Sequence, residues 1–239
     1  MDRSRREARI ERRRAEQRRS QMTWLGIIVV VAIAVTGLLI YGNKVRPPQR
    51  TPGEEGYTQK NGTSLGDPAA AVTFIEFADF QCSYCLNTYV SEEANLIEEY
   101  VNTGKMIFVY RLVGFLDRAS NESQRSAEAA YCAADQNMFW EYHDVVWANY
   151  STAESGGYSD DRLISFAESL DMDVARFSQC LLNNEKTAEV EQAETDAAAY
   201  GITGTPSFVI NGIALPPGAQ DYATLQRVIE QALEAAGAN

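Results

Sequence analysis

The hydrophobic pattern of this chain changes character several times, and each change predicts a different kind of element. From Met22 to Tyr41 no residue is charged, and Ile, Val, Leu, Ala and Gly dominate. About 20 apolar residues, rising about 1.5 Å each, match a hydrocarbon core of about 30 Å. Farther on, Val72-Thr73-Phe74-Ile75-Glu76-Phe77 is β-branched and aromatic, so Ala69 to Phe80 reads as a buried strand. From Tyr84 the apolar residues fall at Leu86, Tyr89, Val90, Ala94, Ile97, Tyr100 and Val101, which is helical spacing closed by Asn102-Thr103-Gly104. Met106 to Leu112 reads as a second strand, completing a βαβ unit whose crossover is right-handed by rule. From about Ser120 to Ala199 the chain is rich in Ala and Glu with aromatics at helical intervals, broken near Ser151–Asp160 and Asp171. Four or five helices are predicted there. Phe208-Val209-Ile210 and Ile213-Ala214-Leu215 then flank Asn211-Gly212, a strong hairpin signal, and a last helix spans about Tyr222 to Ala235.

Charge gives the apolar run its meaning. Residues 1–21 carry nine arginines against four acids, and the net charge of −12 splits into +8 before Thr51 and −20 after it. An uncharged run this long, with no clean Ala-x-Ala at its end, predicts an uncleaved signal anchor rather than a cleaved signal peptide. The basic tail stays cytoplasmic, so the rest of the chain is expected outside the cytoplasm. A domain at −20 repels phosphate backbones, which argues against a nucleic-acid partner despite the arginines. Lys44 to about Gly66, with Pro47-Pro48 and Pro52-Gly53, reads as a flexible linker. The expected organisation is a basic tail over 1–21, a transmembrane anchor over 22–41, a linker over 42–66 and a catalytic domain over 67–239, with a helical insert at about 119–200.

The chemistry lies in Cys82-Ser83-Tyr84-Cys85, where the first strand ends and the helical pattern begins. Two cysteines at this spacing interconvert between dithiol and disulfide with little backbone movement. A helix that starts at Cys82 aims free N–H groups and its dipole at that sulfur, which favours the thiolate. A purely structural disulfide or half of a zinc site are the bland alternatives; the chain has one histidine, His143, and no second Cys-x-x-Cys. With Cys82 and Cys85 set for each other, Cys132 is left to pair with Cys180, structurally or as a second redox pair. His143, between Trp140 and Trp147 on nearby turns, reads as a core histidine. Glu76 is an acid inside an apolar strand, either buried or facing water from an edge.

A parallel βαβ unit, a helical insertion, a hairpin and a closing helix make an α/β, thioredoxin-like plan. The run Gly66-Asp67-Pro68, Val72, Glu76-Phe77, Asp79-Phe80-Gln81-Cys82-Ser83-Tyr84-Cys85 resembles the active-site segment of DsbA-like thiol–disulfide oxidoreductases. Ala129-Ala130-Tyr131-Cys132-Ala133 with Phe139-Trp140-Glu141-Tyr142-His143-Asp144 resembles that family's insert, and Gly204-Thr205-Pro206-Ser207-Phe208 its proline loop. The resemblance covers roughly Gly66 to Ala235. It implies that Cys82 is the attacked sulfur and Cys85 the buried resolving thiol. It also implies a cis Pro206 beside Cys82, with Thr205 offering its backbone to a substrate peptide. Glu76 would shuttle a proton for Cys85, its affinity for that proton raised by burial. Ser83 and Tyr84 tune the potential. Without a histidine between the cysteines, it is expected near the middle of the range of about −120 to −270 mV.

The expected activity is transfer of the Cys82–Cys85 disulfide to exported thiol-containing proteins through a mixed disulfide, with no metal or organic cofactor. The resemblance implies reoxidation by a membrane partner of the DsbB or vitamin K epoxide reductase type. A reductase or isomerase on the same scaffold, and a tethered binding or assembly protein without turnover, are the rival readings.

Overall fold

The computed structural model describes residues 21–37, 45–47, 57, 59–153 and 155–238. The chain divides into two compact units, residues 1–44 and 45–239. In the first, residues 21–37 form one helix, α1, with every residue exposed. No helix among the described residues is long and apolar enough to cross a membrane. The expected anchor runs on through 38–41, which lie outside the described residues, as do 1–20 of the basic tail.

The second unit is built around a six-stranded sheet. Its strands are β1 (Lys60–Asn61), β2 (Ser64–Leu65), β3 (Val72–Ala78), β4 (Met106–Leu112), β5 (Ser207–Ile210) and β6 (Ile213–Ala214), in the order β1-β2-β4-β3-β5-β6. Only β3 and β4 pair in parallel. The apolar run predicted from Ala69 to Phe80 is central in the sheet, which is why both its faces are apolar. Phe74 packs edge-on against Phe108, with ring centroids 5.2 Å apart, and against Phe208 on the other side at 5.6 Å. Asn211 (φ 47°) and Gly212 (φ 80°) both take the left-handed backbone that the tight β5–β6 hairpin requires.

The linker prediction needs correcting at its end. Residues 59–66 belong to the folded unit: β1 and β2 form a hairpin whose second strand pairs with β4, Ser64 opposite Val109 and Leu65 opposite Phe108. Two-residue strands around Asn61-Gly62 are too short to show a period of two, so the segment reads as loop in sequence. Tyr57 stacks near Trp140 at 5.7 Å, and the Arg46 backbone is clamped by the Asn149 side chain through bonds of 2.7 and 2.8 Å. Residues 48–56 and 58 lie outside the described residues. Gly66 has φ 104°, and a Cβ there would sit 2.6 Å from the Met106 carbonyl oxygen, so glycine alone fits between β2 and β4.

After β3, helix α2 (Ser83–Thr88) continues through a π turn (Tyr89–Glu93), a short α3 (Ala94–Leu96) and a second π turn (Ile97–Val101). The wider π turns keep residues spaced by four in register on the buried face: Cys85, Tyr89 and Glu93 all point inward. The insert holds five helices, α4 (Glu122–Ala134), α5 (Phe139–Ala148), α6 (Asp160–Ser169), α7 (Val174–Leu182) and α8 (Thr187–Ala199). Helix α9 (Tyr222–Ala235) closes the fold, capped by the Asp221 carboxylate, which accepts from Thr224 N–H. Inside the insert, buried Arg125 bonds Glu128 at 2.6 Å and Asp160 at 2.8 Å, so α4 is tied to α6 by paired charges.

Cys132 of α4 and Cys180 of α7 form a disulfide closing a separation of 48 residues, with Cα atoms 5.9 Å apart. Loop-closure entropy gives such a link about 4 kcal/mol. Replacing both residues, Cys132→Ser with Cys180→Ser, is expected to lower the unfolding free energy by roughly 2–4 kcal/mol in denaturant titration. Reactivity of Cys82 toward alkylating agents should be unchanged in the same variant.

Candidate active site

Cys82 occupies the N-cap of α2, with extended backbone (φ −81°, ψ 118°), so its side chain stands at the helix mouth. It is a free thiol, 6 % exposed, and Cys85 one turn later is free and wholly buried. Beside Cys82 comes the loop before β5, the strand next to β3 in the sheet. Its Thr205–Pro206 bond is cis, Pro206 is buried and Thr205 half-buried. The Cys82 sulfur lies 3.3 Å from the Thr205 carbonyl oxygen, the contact that a protonated thiol makes as donor.

Ionisation changes the partners. The Cys85 thiol donates to the Cys82 thiolate, and this is the largest effect favouring it. Burial opposes ionisation; the Thr205 hydroxyl and the N–H groups of Cys85 and Tyr84 support it. The result is a Cys82 thiol lowered to about 6. Cys85 behaves oppositely. Burial pushes its thiol well up, and its hydrogen bond to Cys82 and the charges of Cys82 and Glu76 push the same way. Two cysteines two residues apart are thus made chemically unlike.

Glu76 lies on the central strand β3, between Tyr110 of β4 and Phe208 of β5, and has no exposure to solvent. The edge-strand alternative is therefore excluded by topology. Ser83 and Tyr84 are both exposed, Tyr84 by 67 %, so they flank the Cys82 sulfur on the outer surface. Cys132 and Cys180 belong to the insert disulfide and not to this site. Among the described residues no group of three or more Cys, His, Asp or Glu is arranged to hold a metal ion.

Several residues that hold the site were given no role by the sequence, Asp79 and Gln81 among them although they lie in the run before Cys82. Asp79 is fully buried beneath the Cys82 loop, where it accepts from Gln81 N–H at 2.9 Å, from Leu116 N–H at 3.0 Å and from the Ser123 hydroxyl. Burial raises its carboxyl to about 6 in spite of those bonds. Two insert tyrosines donate to the same loop, Tyr150 to the Gln81 carbonyl and Tyr158 to the Phe80 carbonyl, each at 3.2 Å. Glu122 receives Gln81 Nε2 at 3.1 Å and Tyr158 N–H at 3.2 Å. Tyr150 and Tyr158 bracket a stretch that lacks helical periodicity, so only three-dimensional proximity assigns them. Beside them lies an open groove of about 580 Å³, lined by Leu86, Tyr89, Val90, Trp147 and Tyr150 among others.

Comparison with known proteins agrees with this geometry. The family model described as Thioredoxin matches residues 58–231. The chain is 25 % identical over 213 residues to the probable disulfide bond formation protein D of Bacillus anthracis, covering 88 % of this chain and 95 % of that protein. The oxidised BdbD structure from Bacillus subtilis superposes with a TM-score of 0.66 at 20 % identity, over 79 % of this chain and all of that one. The alpha-DsbA1 structure from Wolbachia pipientis gives 0.62 at 21 %, over 78 % and 98 %. With the fold, the paired thiols and these relatives in agreement, the chain belongs to the thioredoxin family, as a DsbA-like protein disulfide oxidoreductase.

Proposed function

We propose that this protein donates the Cys82–Cys85 disulfide to exported proteins outside the cytoplasm, tethered to the membrane through residues 22–41. The observation that carries the reading is the unequal placing of the two sulfurs: Cys82 at the mouth of α2 beside the Thr205–Pro206 loop, where its thiol is lowered to about 6, and Cys85 wholly buried behind it, where burial pushes the thiol well up. A substrate thiolate attacks Cys82 and the Cys82–Cys85 bond breaks, with Cys85 leaving on the electron pair. A second substrate thiolate then attacks the substrate sulfur of the mixed disulfide, and Cys82 leaves as a stable thiolate. Enzyme disulfide becomes dithiol and substrate dithiol becomes disulfide, so electrons balance without a cofactor.

The remaining residues take supporting roles in this reading. The backbone of Thr205, held by cis Pro206, aligns the substrate strand, and the groove by Leu86 and Tyr150 receives apolar side chains flanking the substrate cysteine. Glu76, acting electrostatically on Cys85, exchanges its proton. Ser83 and Tyr84 set the potential from outside. Reoxidation falls to a membrane partner of the DsbB or vitamin K epoxide reductase type. The tether rests on the uncharged run and its basic flank, and the name of the Bacillus anthracis relative supports the direction of transfer.

The variants that test this are Cys82→Ser and Cys85→Ser, assayed on a reduced, unfolded substrate. Cys82→Ser is expected to lose essentially all disulfide formation. Cys85→Ser, offered the substrate in its disulfide form, is expected to accumulate a mixed disulfide through Cys82 as one substrate thiolate leaves, visible on a non-reducing gel; full activity of Cys82→Ser leaves only a binding role. Equilibration of the wild-type pair against glutathione decides direction. A potential above about −250 mV is expected, and a lower one favours the reductase.

A further inference from the structure

Thiol exchange leaves one cluster of buried ionisable side chains without a task. Cys85, Tyr89 and Glu93 follow one another at intervals of four along the inner face of the helix that begins with α2. The Glu93 Oε1 lies 3.7 Å from Nε2 of His143 on α5, a histidine with no solvent exposure. Nδ1 of the same ring is 3.1 Å from Asp144 Oδ1, and Asp144 Oδ2 accepts from the Tyr57 hydroxyl at 2.6 Å. Tyr57 is half-buried, so this end of the line reaches solvent. At the other end, the Tyr110 ring meets His143 edge-on at 4.7 Å, and its hydroxyl lies in the combined field of Glu76, Glu93 and Cys85. Two residues before His143 on α5, Glu141 is already paired with Lys60.

His143 is placed to hold or release a proton by exchanging one partner for another. As neutral imidazole it donates from Nδ1 to Asp144 and accepts at Nε2 from Trp147 Nε1, 2.9 Å away. As imidazolium it gives up the bond from Trp147 and offers the Nε2 proton to Glu93 instead. Burial disfavours the charged form; the charge of Glu93 and the bond to Asp144 outweigh it, and the proton is held more tightly than on an ordinary histidine. Cys85 needs such a source. Its thiol is wholly buried and pushed far up, so the thiolate released when the disulfide opens must be protonated from within.

We propose that His143, held between Glu93 and Asp144, is the proton store of the thiol pair. The inference rests on the reading of Cys82–Cys85 as a disulfide donor. When the disulfide opens, Cys85 leaves as thiolate and takes a proton from Glu76, whose strand neighbour Tyr110 packs against the His143 ring. The imidazolium of His143 replaces that proton and becomes neutral, and solvent recharges it through Tyr57 and Asp144. No oxidant or reductant beyond the enzyme disulfide and the substrate thiol enters. His143 touches neither substrate nor sulfur, so it is a positioning residue for the proton.

Because His143 is the single histidine of the chain, imidazole NMR of the full-length protein reads it without assignment. Its titration midpoint is expected to be higher in the dithiol form than in the disulfide form, because the Cys82 thiolate adds negative charge to the same interior. Superimposable curves in the two forms, or one unchanging protonation state throughout, overturn the proposal. His143→Gln is expected to slow reaction of the oxidised protein with glutathione by about tenfold and flatten its pH profile, less than for a group touching the reacting atoms. An unchanged rate and profile in this variant count against the store, and if it does not fold, the wild-type titration decides alone. Should Cys85→Ser trap no mixed disulfide, the donor reading fails whatever His143 does; should it trap one while His143 ignores redox state, only the store fails.

Discussion

A negative charge on the sulfur of Cys82 is the interaction around which this domain is arranged. The charge would be costly in a folded interior, and it is tolerated because donors converge on it: the Cys85 thiol, the Thr205 hydroxyl and the N–H groups at the start of α2. Those donors come from two places far apart in sequence, the helix after β3 and the loop before β5. The sheet is what brings them together, since β3 and β5 are neighbours, Glu76 opposite Phe208. Cys85 is kept different by the same architecture, which surrounds it with apolar side chains and an acid. Removing the difference between the two sulfurs would leave an ordinary dithiol.

The helical insert does more than cover the sheet. It supplies Ser123 to Asp79, Tyr150 and Tyr158 to the carbonyls of the Cys82 loop, and Glu122 to Gln81. A short loop that carries a nucleophile has few internal hydrogen bonds of its own, so its geometry is set by what is packed beneath and beside it. Asp79 is the junction of that support, joining the loop to Leu116 and to α4 through a single carboxyl. The insert disulfide between Cys132 and Cys180 ties two of the insert's helices to each other, α4 and α7.

Local features explain which parts of the structure were legible in sequence. The strands β3 and β4 and the β5–β6 hairpin announce themselves through β-branched runs and Asn211-Gly212, and α9 through its spacing, because each is specified by contiguous residues. The Cys-x-x-Cys motif is legible for the same reason. The β1–β2 hairpin is hidden, since two-residue strands carry no period and are defined by pairing with β4. Burial of Glu76 depends on β3 being central, a property of sheet order that the sequence of β3 alone does not contain. Asp79 lies in the run before Cys82, but nothing in that run names its role, and Tyr150 and Tyr158 lie outside any motif; their importance arises from backbone groups they reach across the fold. His143 reads as a core histidine in sequence, and although Asp144 follows it directly, its other carboxylate neighbour, Glu93, appears only when α5 meets the helix that follows Cys82.

The inequality of the two sulfurs is tested most directly by following thiolate ultraviolet absorbance of the reduced protein as pH rises. A depressed affinity for the proton means that thiolate appears early: one equivalent is expected with a midpoint near pH 6, assigned to Cys82, with no second equivalent through pH 9. Replacing Cys85 with alanine should move that midpoint upward, because the bond from the Cys85 thiol is the largest effect holding it down. Two thiols titrating together near the ordinary value of about 8.5 would contradict the account.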